Sequence, residues 1–531
     1  MLRNKDYPLY KVPIHTCLSD MLESNAKEVP DKIAIRQRAG RKETEEISYA
    51  KLYEDVKRVA AYIHSAYGKG QHMAIIGENS YEWLIAFLGI ACSGNVAVPT
   101  DKELPAGEIK NLLRSADVTA AFVSKTYSDL VEDISGLQTM TLKKLREIHS
   151  EAEEDYQLVH PEPDTTAAIF FTSGTTGVSK CVMLSHNNIA TELNLVFQYV
   201  EIETDSVFVS VLPFNHAYGL IDAVLAVLNC RATTYITKSL KTVQRDIKEN
   251  KPDTIMLVPL FVETFYKGIM NTVREQQKQD KLKKGITLSN ILLKFGIDKR
   301  RKLFRDVLEP FGGNLKWIIC GGAPLNPFYI KAFHDIGIGI LNGYGTTECS
   351  PCVAVNRNHY YKDGSVGQLL PGMDARVTEE GELELHGPVV MKGYYGNPKA
   401  TAEALSEDGW YKTGDLGYVD KDRFVFLTGR KKNLIILSNG ENISPEELES
   451  NFQIDEGVNE VLVYEQNHKL VAEIYPEEAY KGNADYFQNL MLKVNQGRPL
   501  SKQIAAVKLR DEEFIKNTTK KIVRSKNIPV N

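Results

Sequence analysis

Thr172-Ser173-Gly174-Thr175-Thr176-Gly177-Val178-Ser179-Lys180 is the stretch that decides how this chain is read. The apolar run before it, residues 167–171, predicts a buried strand. Two glycines, five hydroxyls and a lysine then fall within nine residues. Glycine lets the backbone turn tightly and approach a ligand closely. Successive turned N–H groups form an anion-binding concavity. The hydroxyls add donors and Lys180 adds charge, so a polyphosphate suits the loop. The string does not follow G-x-x-x-x-G-K-[ST], because its glycines are three apart and Cys181 follows the lysine. Composition alone reads equally well as a surface turn.

Working outward, strands and helices alternate on the N-terminal side. Strands are expected at 32–35, 73–76, 96–99 and 120–123, with helices at 49–67, 80–92 and 106–116. Ser48 is the expected N-cap of the first of these helices, which carries Leu52, Val56, Val59, Ala60 and Ile63 on one face. That alternation predicts parallel α/β sheets. Residues 125–163 read as a polar connection. The length of 531 residues exceeds one ordinary core. Hydrophobic content of 43% and charged content of 25% are those of a globular protein. The net charge of -5 gives no reason to expect nucleic acid. No secretory leader and no long apolar run stand out, so the expectation is a cytoplasmic protein without a membrane span. Its seven cysteines are expected reduced, Cys349 and Cys352 included.

Downstream, a strand at 207–212 runs into Pro213-Phe214-Asn215-His216, and open α/β sheets bind ligands just past such strand ends. A strand at 254–259 precedes a highly charged stretch, 274–302, expected to form helices. A strand at 317–320 leads into Gly321-Gly322-Ala323-Pro324, whose small residues let a flat ring lie on backbone. Gly343-Tyr344-Gly345-Thr346-Thr347-Glu348 follows, with a stacking face at Tyr344 and oxygen ligands of the kind Mg²⁺ prefers at Thr347 and Glu348. Residues 364–372 and 381–395 predict a small β-rich subdomain. Asp415, in Thr413-Gly414-Asp415, is expected in a turn, where a carboxylate can accept from two hydroxyls. Beyond Gly429-Arg430-Lys431-Lys432, Asn439-Gly440 marks a tight turn, and Ser444 with Glu447 predicts a capping box. The chain closes on Lys516-Asn517-Thr518-Thr519-Lys520-Lys521-Ile522.

Taken together, six of these strings resemble, in order, the motifs of the adenylate-forming enzymes, the superfamily of acyl-CoA synthetases, luciferases and peptide-synthetase adenylation domains. The resemblance runs from about residue 20 to 526. It implies a large α/β N-terminal domain with a β-rich subdomain, residues 1–430, and a small mobile α+β C-terminal domain, residues 431–531. It implies that Thr172, Ser173, Gly174, Thr175, Thr176, Gly177 and Lys180 hold the phosphates of ATP. Gly322, Ala323, Pro324 and Tyr344 would hold adenine, with Gly345 and Thr346 beside them, and Asp415 with Arg430 would hold ribose. Thr175 and Glu348 would hold Mg²⁺, with Thr347 at the α-phosphate. His216 would sit beside the reacting carboxylate, Lys432 would act as hinge, and Lys521 would bridge carboxylate and phosphate. The turn at Gly440 would face the site in a second step with CoA.

The insertion after Pro259 and the segment from Asp408 through Trp410 resemble bacterial medium- and long-chain fatty acyl-CoA synthetases, although Leu260 stands where those usually carry arginine. The expected reaction is activation of a carboxylic acid to acyl-AMP and transfer to CoA. A separate acyl carrier protein as acceptor, a short-chain or aryl acid, and a non-catalytic nucleotide-binding relative remain as alternatives. Peripheral membrane contact stays open.

Overall fold

A computed structural model describes residues 8–40, 43–148, 155–172, 179–437, 442–517 and 521–529. Ser173, Gly174, Thr175, Thr176, Gly177, Gly440 and Lys520 lie outside them.

The helix Tyr49–Tyr67 begins where Ser48 accepts a hydrogen bond from the Lys51 N–H at 3.2 Å. Its Leu52, Val56, Val59, Ala60 and Ile63 are buried. Each of the leucine, valine and isoleucine side chains contributes about 1.5–3 kcal/mol when fully buried. The helix lies against Tyr81–Cys92 so closely that a Cβ on Gly89 would stand 2.4 Å from Val59 Cγ1. Tyr81–Cys92 is apolar and buried at every position but Glu82, as a helix enclosed by other elements must be.

Two large sheets build the first 430 residues. One runs 393–394, 180–185, 166–172, 96–99, 72–76, 118–123, 138–141. Its central strands are parallel, and Lys180–Ser185 returns antiparallel on Thr166–Thr172, pairing Thr172 with Lys180. The second runs 368–369, 352–355, 339–345, 317–320, 254–257, 207–210, 233–236, 33–38, 44–48, parallel through its middle. A four-stranded antiparallel sheet, 374–377, 382–386, 411–419, 425–430, leans on these. From Ile435 a separate core forms, with Leu448, Phe452, Val463, Ile474 and Phe487 packed inside. It holds the strands Val458–Gln466, Lys469–Pro476 and Ala506–Leu509 and the helices Pro445–Gln453 and Ala484–Asn495.

Several expectations change. The 254–259 strand stops at Leu257, and Pro259 opens the helix Pro259–Glu275, where a missing N–H costs nothing. Beyond His216 the chain is helical, a π-helix over Tyr218–Ala226 that continues into Val227–Asn229. Residues 368–369 and 393–394 join the two large sheets rather than the small one, so the β-rich unit begins at Asp374. The capping box at Ser444 does not form: Ser444 Oγ donates to Glu446, and Glu447 accepts from Arg498 instead. Among the described residues, no helix is long and apolar enough to cross a membrane. All seven cysteines are buried and free.

Candidate active site

The strand Gly339–Gly345 delivers Tyr344 to the rim of the second large sheet. Its ring is buried, and its hydroxyl donates to Asp415 Oδ2 at 2.8 Å. Gly345 has no room for a side chain, because a Cβ there would stand 1.8 Å from the Pro351 carbonyl oxygen. Asp415 lies within the strand Tyr411–Val419 rather than in a turn. Tyr411 and Lys412 pair with Leu385 and Glu384 on one side, and from Asp415 onward the strand pairs with Val425–Arg430, which overrides the turn preference of Gly-Asp. In that register Asp415 stands directly opposite Arg430, whose Nε donates to Asp415 Oδ1 at 2.9 Å. Burial pushes the Asp415 carboxyl up. The Arg430 charge and the Tyr344 hydrogen bond oppose that shift.

After the strand Trp317–Cys320, Gly322 takes a positive φ of 83°, and Gly322, Ala323 and Pro324 form an exposed ledge. A positive φ suits glycine. The last segment of the chain reaches this ledge: Lys521 Nζ donates to the Gly322 carbonyl at 2.6 Å, and the Lys521 N–H donates to Asn517 Oδ1. The Lys521 side chain is accessible from the open side of the cleft yet surrounded there by protein. Loss of water lowers its pKa first, the Arg430 and Lys432 charges lower it further, and Asp415 opposes them. Lys432 is lowered for the same reasons, burial before Arg430. His216 is held below its usual range, chiefly by burial, with Asp101 opposing and Lys521 contributing. The imidazole is therefore neutral at pH 7. The Arg430 charge acts on Asp415, Lys432 and Lys521, and the Lys521 charge reaches His216, so residues distant in sequence line one cleft.

Glu348 sits in the short turn Thr347–Cys349, largely buried, with Thr346 and Thr347 beside it and partly exposed. Its Oε1 accepts from the Tyr394 hydroxyl at 2.9 Å. Lys180 places its ammonium 4.6 Å from the centre of the same Tyr394 ring, within cation–π range. Tyr394 thus ties the lysine that ends the phosphate-loop string to the carboxylate expected to hold metal. Sequence reading missed it because a Gly-Tyr-Tyr run carries no chemistry of its own. Its strand partner Val182, two residues beyond Lys180, is what brings it there. A buried carboxylate with an oxygen left over from Tyr394 fits Mg²⁺, a hard ion that takes oxygen ligands. The companion ligand expected from the loop, Thr175, lies outside the described residues. Burial pushes the Cys349 and Cys352 thiols up, so neither is a ready nucleophile.

Two large sheets, a leaning β-unit and a terminal lysine laid on a glycine ledge define the class of adenylate-forming enzymes. The chain belongs to the AMP-binding enzyme family, whose model matches residues 22–395. It is 28% identical over 430 residues to a long-chain-fatty-acid–CoA ligase, FadD15 of Mycobacterium bovis, covering 74% of this chain and 71% of that one. It is 26% identical over 499 residues to the chloroplastic long-chain-fatty-acid–[acyl-carrier-protein] ligase AEE15 of Arabidopsis thaliana, covering 76% and 68%. The fold matches ATP-bound MatB from Rhodopseudomonas palustris with a TM-score of 0.77 at 24% identity, over 96% of this chain and 98% of that one.

Proposed function

We propose that this AMP-forming acid–CoA ligase activates a medium- or long-chain fatty acid, and that residues 1–430 and 431–531 act as its fixed and moving domains. A carboxylate is a poor electrophile, because its charge repels a nucleophile and oxide is a poor leaving group. In the first step a carboxylate oxygen attacks the α-phosphorus of ATP and pyrophosphate departs, leaving acyl-AMP. In the second, the CoA sulfur attacks the acyl carbon, its proton is lost and AMP leaves.

The observation that carries this reading is the contact of Lys521 with the Gly322 carbonyl, beside the Asp415–Arg430 pair. A cation there is positioned to neutralise charge as the carboxylate and α-phosphate approach. Asp415 retains lone pairs for the ribose hydroxyls beside its bonds to Tyr344 and Arg430. Gly322, Ala323 and Pro324 offer a flat, uncrowded surface for adenine, with Tyr344, Gly345 and Thr346 at its side. Neutral His216 borders the reacting carboxylate without adding charge. Thr172 and Lys180 flank the loop proposed for the β,γ-phosphates, with Thr347 at the α-phosphate. Glu348 would hold Mg²⁺ together with Thr175, and the bound ion supplies charge neutralisation across the departing phosphates. Lys432 is the proposed pivot, and Gly440 belongs to the segment that would face the site once the small domain has turned.

The fatty-acid assignment is supported by the names of the relatives, by the helices inserted after Pro259 and by the segment around Trp410. Acid-dependent ATP–pyrophosphate exchange over fatty, aryl and amino acids, followed by CoA, tests it. Exchange with fatty acids and consumption of CoA thiol is the expected result. Exchange with aryl acids alone overturns the substrate class. Thioester formed only on a holo-carrier protein overturns CoA as acceptor.

A further inference from the structure

The charged insertion has a role that nucleotide chemistry leaves unused. Its helix Gln279–Lys294 is apolar on two faces. On one, Leu282 and Ile286 pack on the core, Ser289 is buried, and a Cβ on Gly285 would meet the Phe304 ring at 3.2 Å. On the other, Lys281, Lys284, Leu288, Ile291 and Phe295 follow at alternating spacings of three and four, which aligns them along one stripe pointing away from that core. Leu288 is 49% exposed, Ile291 48% and Phe295 76%, and Ile297 and Leu303 continue the apolar surface just beyond the helix.

The surrounding charge is one-sided. Residues 278–305 carry ten lysines and arginines against two aspartates, in a chain whose total charge is -5. Arg300 is spent internally on Asp298. Lys281, Lys283, Lys284, Lys294, Lys299 and Lys302 are exposed and have no carboxylate partner among the described residues. The adjoining helix Pro259–Glu275 uses Lys267 and Arg274 to hold Glu477 and Glu456 of the small domain.

A solvated helix needs cations but has no use for a stripe of leucine, isoleucine and phenylalanine turned to water. We propose that this face docks on an anionic lipid bilayer, the lysines meeting headgroups and Leu288, Ile291 and Phe295 entering the acyl boundary. Charge favours a lipid surface of negative sign, and the apolar stripe favours a bilayer over nucleic acid. The inference stands whichever acid the enzyme activates.

The test is co-sedimentation of the full chain with vesicles of phosphatidylcholine alone or mixed with phosphatidylglycerol. Binding is expected only to the mixed vesicles, and it should weaken as salt rises. The triple variant Lys281→Gln, Lys283→Gln, Lys284→Gln is expected to partition roughly a hundredfold less. Leu288→Ser, Ile291→Ser, Phe295→Ser together should lose retention at raised salt, where charge no longer holds the protein. Both variants should keep wild-type melting and wild-type exchange activity. Should the apolar triple variant melt early, Phe295→Glu alone, at the helix end, carries the test. Absence of wild-type binding to the mixed vesicles overturns the proposal, as does binding indifferent to both sets of substitutions. So does a solution dimer dissolved by the apolar variant, which would make the face a self-association surface. Oligonucleotide binding that displaces the vesicles and ignores the apolar variant would make it a polyanion site.

Discussion

Asp415 and Lys521 face the same cleft but are held in opposite ways. Asp415 is 3% exposed, fixed by strand register opposite Arg430, and bonded through both carboxylate oxygens. Lys521 stands at the end of a chain whose nearest regular pairing is the single bridge between Lys516 and Ile522. Among the described residues its ammonium hydrogen-bonds the larger unit at the Gly322 carbonyl. The unit carrying it meets the larger one through polar contacts: Lys267 with Glu477, Arg274 with Glu456, and Asn326 with the Ser450 carbonyl. Half-exposed ion pairs of this kind are each worth about 0–1 kcal/mol. One half of the site is therefore held by the sheet, and the other by a unit whose ion pairs to the rest are weak, as the proposed moving domain requires.

The largest expected effect separates those halves. Lys521→Ala should lower adenylation by about a thousandfold while largely sparing thioester formation from supplied acyl-AMP. Rapid-quench measurement of the two half-reactions reads this, and equal loss of both would remove the delivered-lysine assignment. Lys520→Ala should be mild, and a total loss there would move the role to its neighbour. Asp415→Asn probes the fixed half. It leaves Arg430 without its charge partner and weakens the proposed ribose contact, so both half-reactions should fall, adenylation by roughly fiftyfold in kcat/KM for ATP and thioester formation by a comparable factor in kcat/KM for acyl-AMP. An Asp415 variant that splits the steps as Lys521 does would erase the contrast between the two halves. Tyr344→Phe removes one hydrogen bond to Asp415 and keeps the ring, so about fivefold in KM for ATP is expected, with little change with respect to the acid.

Protonation sharpens the same comparison. The pKa of Lys521 is lowered while the cleft is closed around it. Adenylation should therefore fall on the alkaline side below the ordinary lysine range, as the ammonium is lost. If the proposed rotation withdraws the lysine for the thioester step, that step should lack the limb. The sign also bears on stability: a lysine with a lowered folded-state pKa binds its proton less well folded than unfolded. It therefore favours the closed form more as pH rises through the lowered value towards the unfolded one. Coincident alkaline limbs for both steps would show that the lysine does not leave.

The fixed half was largely legible in the sequence, and the reasons are local. The helix limits at Tyr49 and Tyr67 and the strand at Val96 follow from caps and apolar runs, which act over a few residues. The Gly322 ledge follows from a strand ending in small residues. Contacts made by register were not legible. Asp415 looked like a turn residue until Arg430 was seen opposite it, and Tyr394 had no visible task until Val182 placed it between Lys180 and Glu348. Glu192 and Asp222 were silent for the same reason. They meet in the interior from two separate helical segments, where burial pushes both carboxyls up. Pairings across long sequence separation depend on strand order, and no spacing rule encodes that order.

The smallest expected effect tests how loosely the delivered half is held. Lys267→Ala with Arg274→Ala removes two of the ion pairs between the units without touching the ledge, the ribose pair or the lysine itself. Because each pair is worth at most about 1 kcal/mol, the closed arrangement should become several-fold less populated. Adenylation under limiting ATP should slow by a comparable factor, while thioester formation from supplied acyl-AMP should stay unchanged or quicken. Added to Lys521→Ala, the double alanine change should cause no further loss of adenylation, since the proposed role of the pairs is to assist delivery of that lysine. If the double alanine variant instead slows both steps equally, those contacts support the fold and not the placement of Lys521. The difference between the two halves of the site would then lie only in their hydrogen bonds, not in their freedom to move.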